Sequence, residues 1–147
     1  MTGKDGRVEK LLALTSLRIH PNKFVLVTSP PSTIATIKQR LNDIDSSFFN
    51  LNTAEEEISL LLPANAWSTI NNYLSKAKAE DDYRLITLDA PVSWDTPGYL
   101  AKILSILNQE NISVGVLSGF SRHHLIIKSK FLLQTIDALN QAIEISQ

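Results

Sequence analysis

Residues 94–119 read WDTPGYLAKILSILNQENISVGVLSG, and the fold follows from how this stretch is parsed. It divides into a loop, an amphipathic helix and a strand, in that order. Thr96 is a residue type that caps helices, and Pro97 suits a first helical position, where its missing N–H costs nothing. Leu100, Ile103, Leu104 and Leu107 recur at i, i+3, i+4 and i+7, an apolar stripe for packing on a sheet. Asn111 suits the left-handed residue that ends a helix, and Ile112, Val114 and Val116 alternate as strand residues do. Gly98 leaves the first turn uncovered, so backbone amides there can face an anion. The loop before it, 90–95, carries the acid Asp95, with hydroxyls at Ser93 and Thr96. The outline is that of a small-ligand site, and it names no ligand.

Working outward, the chain repeats itself at a shift of 66 positions, the distance from Pro31 to Pro97. At that shift Ile34, Ile37 and Leu41 fall on Leu100, Ile103 and Leu107, and Ser47 falls on Ser113. Leu60 and Leu61 then fall on Ile126 and Ile127, and Thr69 and Ile70 on Thr135 and Ile136, with no gap needed. Each copy reads strand, helix, strand, strand, helix. The expected fold is therefore α+β, with two ferredoxin-like βαββα units, antiparallel sheets and helices on one face. The expected layout is a flexible tail at 1–10, a first unit at 11–80 and a second at 81–147. Strands are expected at 11–19, 24–28, 46–51, 57–62, 83–88, 112–116 and 122–128. Trp67, Ile70, Tyr73 and Leu74 are expected in the core, with Lys76 and Lys78 near the end of their helix. A second unit lacking a strand after its last helix needs one from elsewhere, and 12–19 is the expected donor. The two copies differ at one point. In the first, Ser29-Pro30 joins strand to helix directly, whereas 90–95 intervene in the second. The lengthened copy is the better place for a ligand.

Composition excludes several classes. A chain of 147 residues, 44% hydrophobic and 20% charged, makes one or two small globular domains. A net charge of −1 leaves no electrostatic footprint for nucleic acid or an acidic membrane. With no cysteine, disulfides, thiolate catalysis and thiolate metal sites are out, which fits a cytoplasmic protein. The apolar runs are strand-length and too short to span a bilayer. His123 and His124 are adjacent on a strand and face opposite ways, so no metal or other cofactor is expected.

The segment Asp95-Thr96-Pro97-Gly98-Tyr99-Leu100, followed by Ile103, Leu107 and Ile112-Ser113-Val114, resembles the ACT domain, a ferredoxin-like ligand-binding module. In the first half, Phe48-Phe49-Asn50-Leu51-Asn52-Thr53 with Glu56-Glu57-Ile58-Ser59-Leu60 is similar to a pattern of tandem ACT proteins. That group includes small bacterial ACT proteins and the CASTOR-type amino-acid sensors. The resemblance implies a non-catalytic regulatory protein that binds a small ligand, most simply an amino acid, where ACT units pair. It also implies a homodimer and a possible protein partner. By position it implies ligand contacts from Asp95, Thr96, Gly98, Tyr99, Ser113, Val114, Ser118 and His123. The sequence departs from the family after Ser118, where Arg122-His123-His124 stands and His123 replaces an expected acid. That loss argues against a basic ligand.

Each of these residues has a second reading. Asp95 can hold an ammonium group or simply cap the helix. Gly115 can leave room for a ligand or for a close helix. Trp94 can cover a ligand or a subunit contact. Ser118, His123 and Asp95 could be drawn as a hydrolase triad, but Ser118 lacks the Gly-x-Ser-x-Gly elbow, so no enzyme is expected. An assembly module without a ligand is the competing function.

Overall fold

The structure, a computed structural model, describes residues 6–91 and 96–147. In chain order its helices and strands are α1 (Arg7–Leu14), β1 (Ser16–Ile19), β2 (Phe24–Ser29), α2 (Ile34–Arg40), β3 (Asn50–Thr53) and β4 (Ile58–Pro63). They continue with α3 (Ala64–Ile70), β5 (Lys78–Asp89), α4 (Tyr99–Gln109), β6 (Gly115–Ser118), β7 (His123–Lys128) and α5 (Leu132–Ser146). These form an α+β fold of antiparallel strands and helices, as expected. The described chain falls into two compact units, Asn22–Tyr83 and Arg84–Gln147, with the segment ending at Pro21 joined to the second. The expected boundary at 80/81 thus moves to 83/84, inside β5, and residues 11–21 leave the first unit for the second.

In the unit Asn22–Tyr83 the strand order is β5–β2–β4–β3. Phe24 pairs with Pro63 and Ser29 with Ile58, while Asn50 pairs with Leu61. Val25, Val27, Ile58, Leu60 and Leu62 alternate onto one face and meet Ile37, Ile70 and Leu74 from the helix side. Three expectations are corrected here. The strand expected at 46–51 begins only at Asn50. Ser46 Oγ donates to the Phe48 carbonyl at 2.7 Å and accepts from its N–H at 3.2 Å, a local bend that competes with strand pairing. Tyr73 is exposed rather than core, and the Arg40 guanidinium stacks over its ring at 4.0 Å. The charged stretch around Lys78 is not a helix end but the start of β5, whose first five residues are all exposed. It pairs with β2 on one side only in this unit, and charged side chains suit such an edge.

In the other unit the order is β1–β5–β7–β6. Ser16 pairs with Asp89 and Ile19 with Ile86, so the N-terminal strand does complete this sheet. The segment before it is a helix, however, neither tail nor strand. Val8 and Leu12, one turn apart, are both buried, and α1 packs on α4 and α5. Thr15 then turns to an extended conformation and releases the chain into β1. The core joins Leu12, Ile86, Leu88, Ile103, Leu107, Leu125, Ile127 and Leu139. The strand expected from Ile112 begins at Gly115, because Ile112 is used to end α4. Its N–H bonds to the Leu107 carbonyl at 3.1 Å, while Asn111, at φ 58, bonds to Asn108 at 3.0 Å. The left-handed stop at Asn111 is as the sequence suggested, and the structure adds the pair of backbone bonds that closes it.

Candidate functional site

The first turn of α4 differs from its sequence reading. The helix opens at Tyr99, and the N-cap residue is Gly98, not Thr96, with Pro97 in the preceding turn. Gly98 sits at φ 93, a left-handed conformation that side chains with a Cβ rarely adopt. A Cβ there would lie 3.4 Å from Val8 on α1. The Gly98 carbonyl accepts from the Lys102 N–H at 2.9 Å, and the N-cap glycine has no side chain with which to cap the helix. Tyr99 is a core residue by burial, with 1% of its surface exposed, and borders the cleft above this turn only from beneath. Thr15 Oγ–H donates to the Leu11 carbonyl at 2.7 Å, so the Tyr99 O–H is the donor in its 2.8 Å bond to Thr15. Burial pushes the Tyr99 phenol above its usual value.

Above this turn lies a cleft of about 180 Å³. Thr96, Gly98, Tyr99, Leu100 and Ala101 form its helix side. The β6–β7 hairpin forms the other, through Gly119, Phe120, Ser121, Arg122 and His123. The hairpin is closed by a bond from the Gly119 N–H to the Arg122 carbonyl at 2.8 Å. His123 stacks beside Tyr99, ring centroids 6.3 Å apart, and its Nδ1 is hydrogen-bonded to Ser118 Oγ at 2.8 Å. Burial holds the His123 imidazole below its usual pKa, so near neutral pH it is a polar, uncharged group.

Of the expected contacts, the cleft brings together Thr96, Gly98, Tyr99 and His123, and Ser118 reaches it through His123. Ser113 is exposed and outside it, and Val114 lines a separate open groove against α4 with Leu104, Ile112 and Val116. Asp95 and Trp94 lie outside the described residues. A Cβ at Gly115 would meet Ile126 at ordinary contact distance. Arg122 and the hairpin tip were not expected as lining. The one signal for them was the departure from the family pattern after Ser118. His124 points away from His123, toward Thr87 and His20. Among the described residues no three His, Cys, Asp or Glu side chains are placed to hold a metal ion. No described helix is long and apolar enough to cross a membrane.

Sequence comparison bears on the same segment. Residues 78–141 match the family model of the ACT domain. The match begins in β5 and contains α4, the cleft hairpin and most of α5. No curated protein matches the chain. Among solved structures it is similar to a Vibrio cholerae protein of unknown function, described as a possible transport protein. That likeness has 19% identity and a TM-score of 0.73, covering 96% of this chain and 99% of the other. A protein from Agrobacterium tumefaciens gives 18% and 0.68, over 88% and 89% of the two chains. The ligand-free regulatory subunit of aspartate kinase from Thermus thermophilus gives 14% and 0.70, over 88% and 98%. At such identities the shared feature is the ACT-like fold.

Proposed function

We propose that this chain is a non-catalytic regulatory module that binds a small ligand of amino-acid type in the cleft above α4. The observation that carries the reading is the cleft itself, which lies at the start of α4, where Gly98 presents no side chain, within the segment matched by the ACT domain model. Its described walls offer N–H groups, hydroxyls, an arginine and a neutral imidazole, and no carboxylate. Such walls suit the carboxylate end of a guest. Asp95 is the proposed partner for an ammonium group, and the missing acid at His123 keeps basic side chains out. Likeness to a regulatory subunit of aspartate kinase supports a regulatory rather than catalytic role. On this reading both units are ACT units in tandem, similar to the small bacterial ACT proteins and CASTOR-type sensors, and the protein works in the cytoplasm. Its output passes to a protein partner.

We also propose that the chain forms a homodimer through the β6 edge. β6 ends the strand order of its unit, and the open groove of Leu104, Ile112, Val114 and Val116 lies beside it. An unpaired edge next to apolar side chains favours a second copy. Sedimentation equilibrium yielding a monomer at high concentration would remove this part of the reading.

Thermal-shift screening of the full chain against the twenty amino acids tests the ligand. At a hundredfold excess over Kd the expected stabilisation is about 2.7 kcal/mol, a rise of several degrees in Tm. A hit should be lost in Asp95→Ala if the guest is an amino compound. A flat screen would leave the ligand-free assembly module as the function.

A further inference from the structure

The sheet of the C-terminal unit has a second face, turned away from its helices. Leu17, Ile19, Ile86, Leu88, Leu125 and Ile127 pack into the core. Alternation therefore sends Arg18, His20, Thr87, Asp89, Arg122 and His124 the other way. These six residues come from β1, β5, β7 and the residues flanking them, and the structure ties them together. Thr87, fully buried, is bonded to His20 Nε2 at 2.9 Å and His124 Nδ1 at 2.8 Å. Beside that row, Asp89 is gripped from both sides. Arg18 Nε donates to Oδ2 at 3.0 Å and Nη2 to Oδ1 at 3.3 Å, and Arg122 Nε donates to Oδ1 at 2.9 Å.

Two cations thus share one carboxylate, and neither arginine makes another ion pair among the described residues. One further bond, from Arg122 Nη1 to the Ser121 carbonyl at 2.8 Å, leaves more than half of the guanidinium N–H groups unspent. Arg18 and Arg122 remain 58% and 39% exposed, so those groups reach solvent. An isolated structural ion pair would balance its charges. This one carries a surplus positive charge and holds its forks in place.

We propose that this face binds an oxyanion, a phosphate or carboxylate group, between the outward N–H groups of Arg18 and Arg122, with Asp89 as the splint that orients both. The planar fork of a guanidinium matches either group in a bidentate manner. The floor is the His20–Thr87–His124 row, and the site adjoins the cleft, with which it shares Arg122. Arg122 touches both places, whereas Arg18 belongs to this face alone.

The test is an NMR titration of the full chain with inorganic phosphate, following the arginine Nε–H signals, with acetate as a second arm and chloride as the ionic-strength control. The expected result is saturable movement of the Arg18 and Arg122 signals with phosphate or acetate, but not with chloride. Whichever anion saturates at lower concentration identifies the class. Arg18→Gln should weaken binding by about tenfold or more while the amide spectrum stays dispersed. Arg18→Lys, which keeps the charge and removes the fork, should be several-fold weaker than the parent. Two results overturn the proposal: shifts that chloride reproduces, or undiminished binding in Arg18→Gln with movement confined to the Gly98, Tyr99 and Leu100 amides. The second would place the anion at the start of α4 and so support the cleft reading instead, which this proposal does not rest on.

Discussion

Gly98 shows how one backbone angle decides the start of the site. At φ 93 it accepts the bond that begins α4 while presenting no side chain to the cleft. Gly98→Ala should cost about 1–3 kcal/mol in urea denaturation, because the left-handed region is strained for any residue with a Cβ. A bulkier residue there would lose stability as well as ligand, so Gly98→Ala with a stability control is the cleaner probe. Tyr99 is the second deciding residue. Its ring fills the core and its hydroxyl reaches Thr15, which ties the helix start to the segment entering β1. Tyr99→Phe leaves Thr15 its bond to Leu11 and removes one buried hydrogen bond, an expected loss of about 0.5–1.5 kcal/mol by the same measurement.

At the scale of elements, the two ends of α4 use different devices. The start depends on glycine, and the end on the left-handed Asn111 with the bonds from Asn111 and Ile112 back to Asn108 and Leu107. Asn111→Gly should be neutral or slightly stabilising, and Asn111→Val should destabilise by about 1–2 kcal/mol, since β-branching is poorly tolerated at positive φ. Equal effects of the two substitutions on the denaturation midpoint would show that φ is not what matters there. The β2–β5 pairing carries a comparable device. Its register shifts between Phe24 and Leu26, close to where Asp82 takes φ 70 and pairs with Lys23 at 3.2 Å. An irregularity of this kind lies beside the point where β5 passes from one unit to the other.

For the molecule as a whole, the histidines set an acid limit. Burial lowers the pKa of His20, His123 and His124, and neighbouring positive charges lower His20 and His124 further. The unfolded chain therefore binds more protons than the folded one between the lowered values and about 6.5. Their contribution to stability is full above about pH 6.5 and is lost as pH falls through the folded values. Asp89, whose pKa is lowered by its bonds to Arg18 and Arg122, contributes above about pH 3.9 and fails below it. Tm measured from neutral to acid pH should fall in two stages, first through the histidine range and then below the carboxylate range. A Tm that holds constant from about pH 7 to about pH 5 would contradict the histidine part.

Local pattern in the sequence was enough for the elements whose faces are one-sided. The stripe of α4, the alternation of β2 and β4 and the left-handed stop at Asn111 were all legible, because each depends on residues a turn or a strand apart. The tertiary structure decided the rest. Arg7–Leu14 is a helix because α4 and α5 supply a surface for Val8 and Leu12. Lys78 begins a strand because β2 offers backbone partners to a stretch whose charged side chains carry no apolar signal. The cleft behaves the same way. Thr96, Gly98 and His123 were identifiable from the resemblance, but the pairing of α4 with the hairpin tip, and of Arg122 and Arg18 with Asp89, joins residues far apart in the chain. Periodicity registers neighbours in sequence, and a charge or a ring at one position carries no mark of the distant residue that will face it.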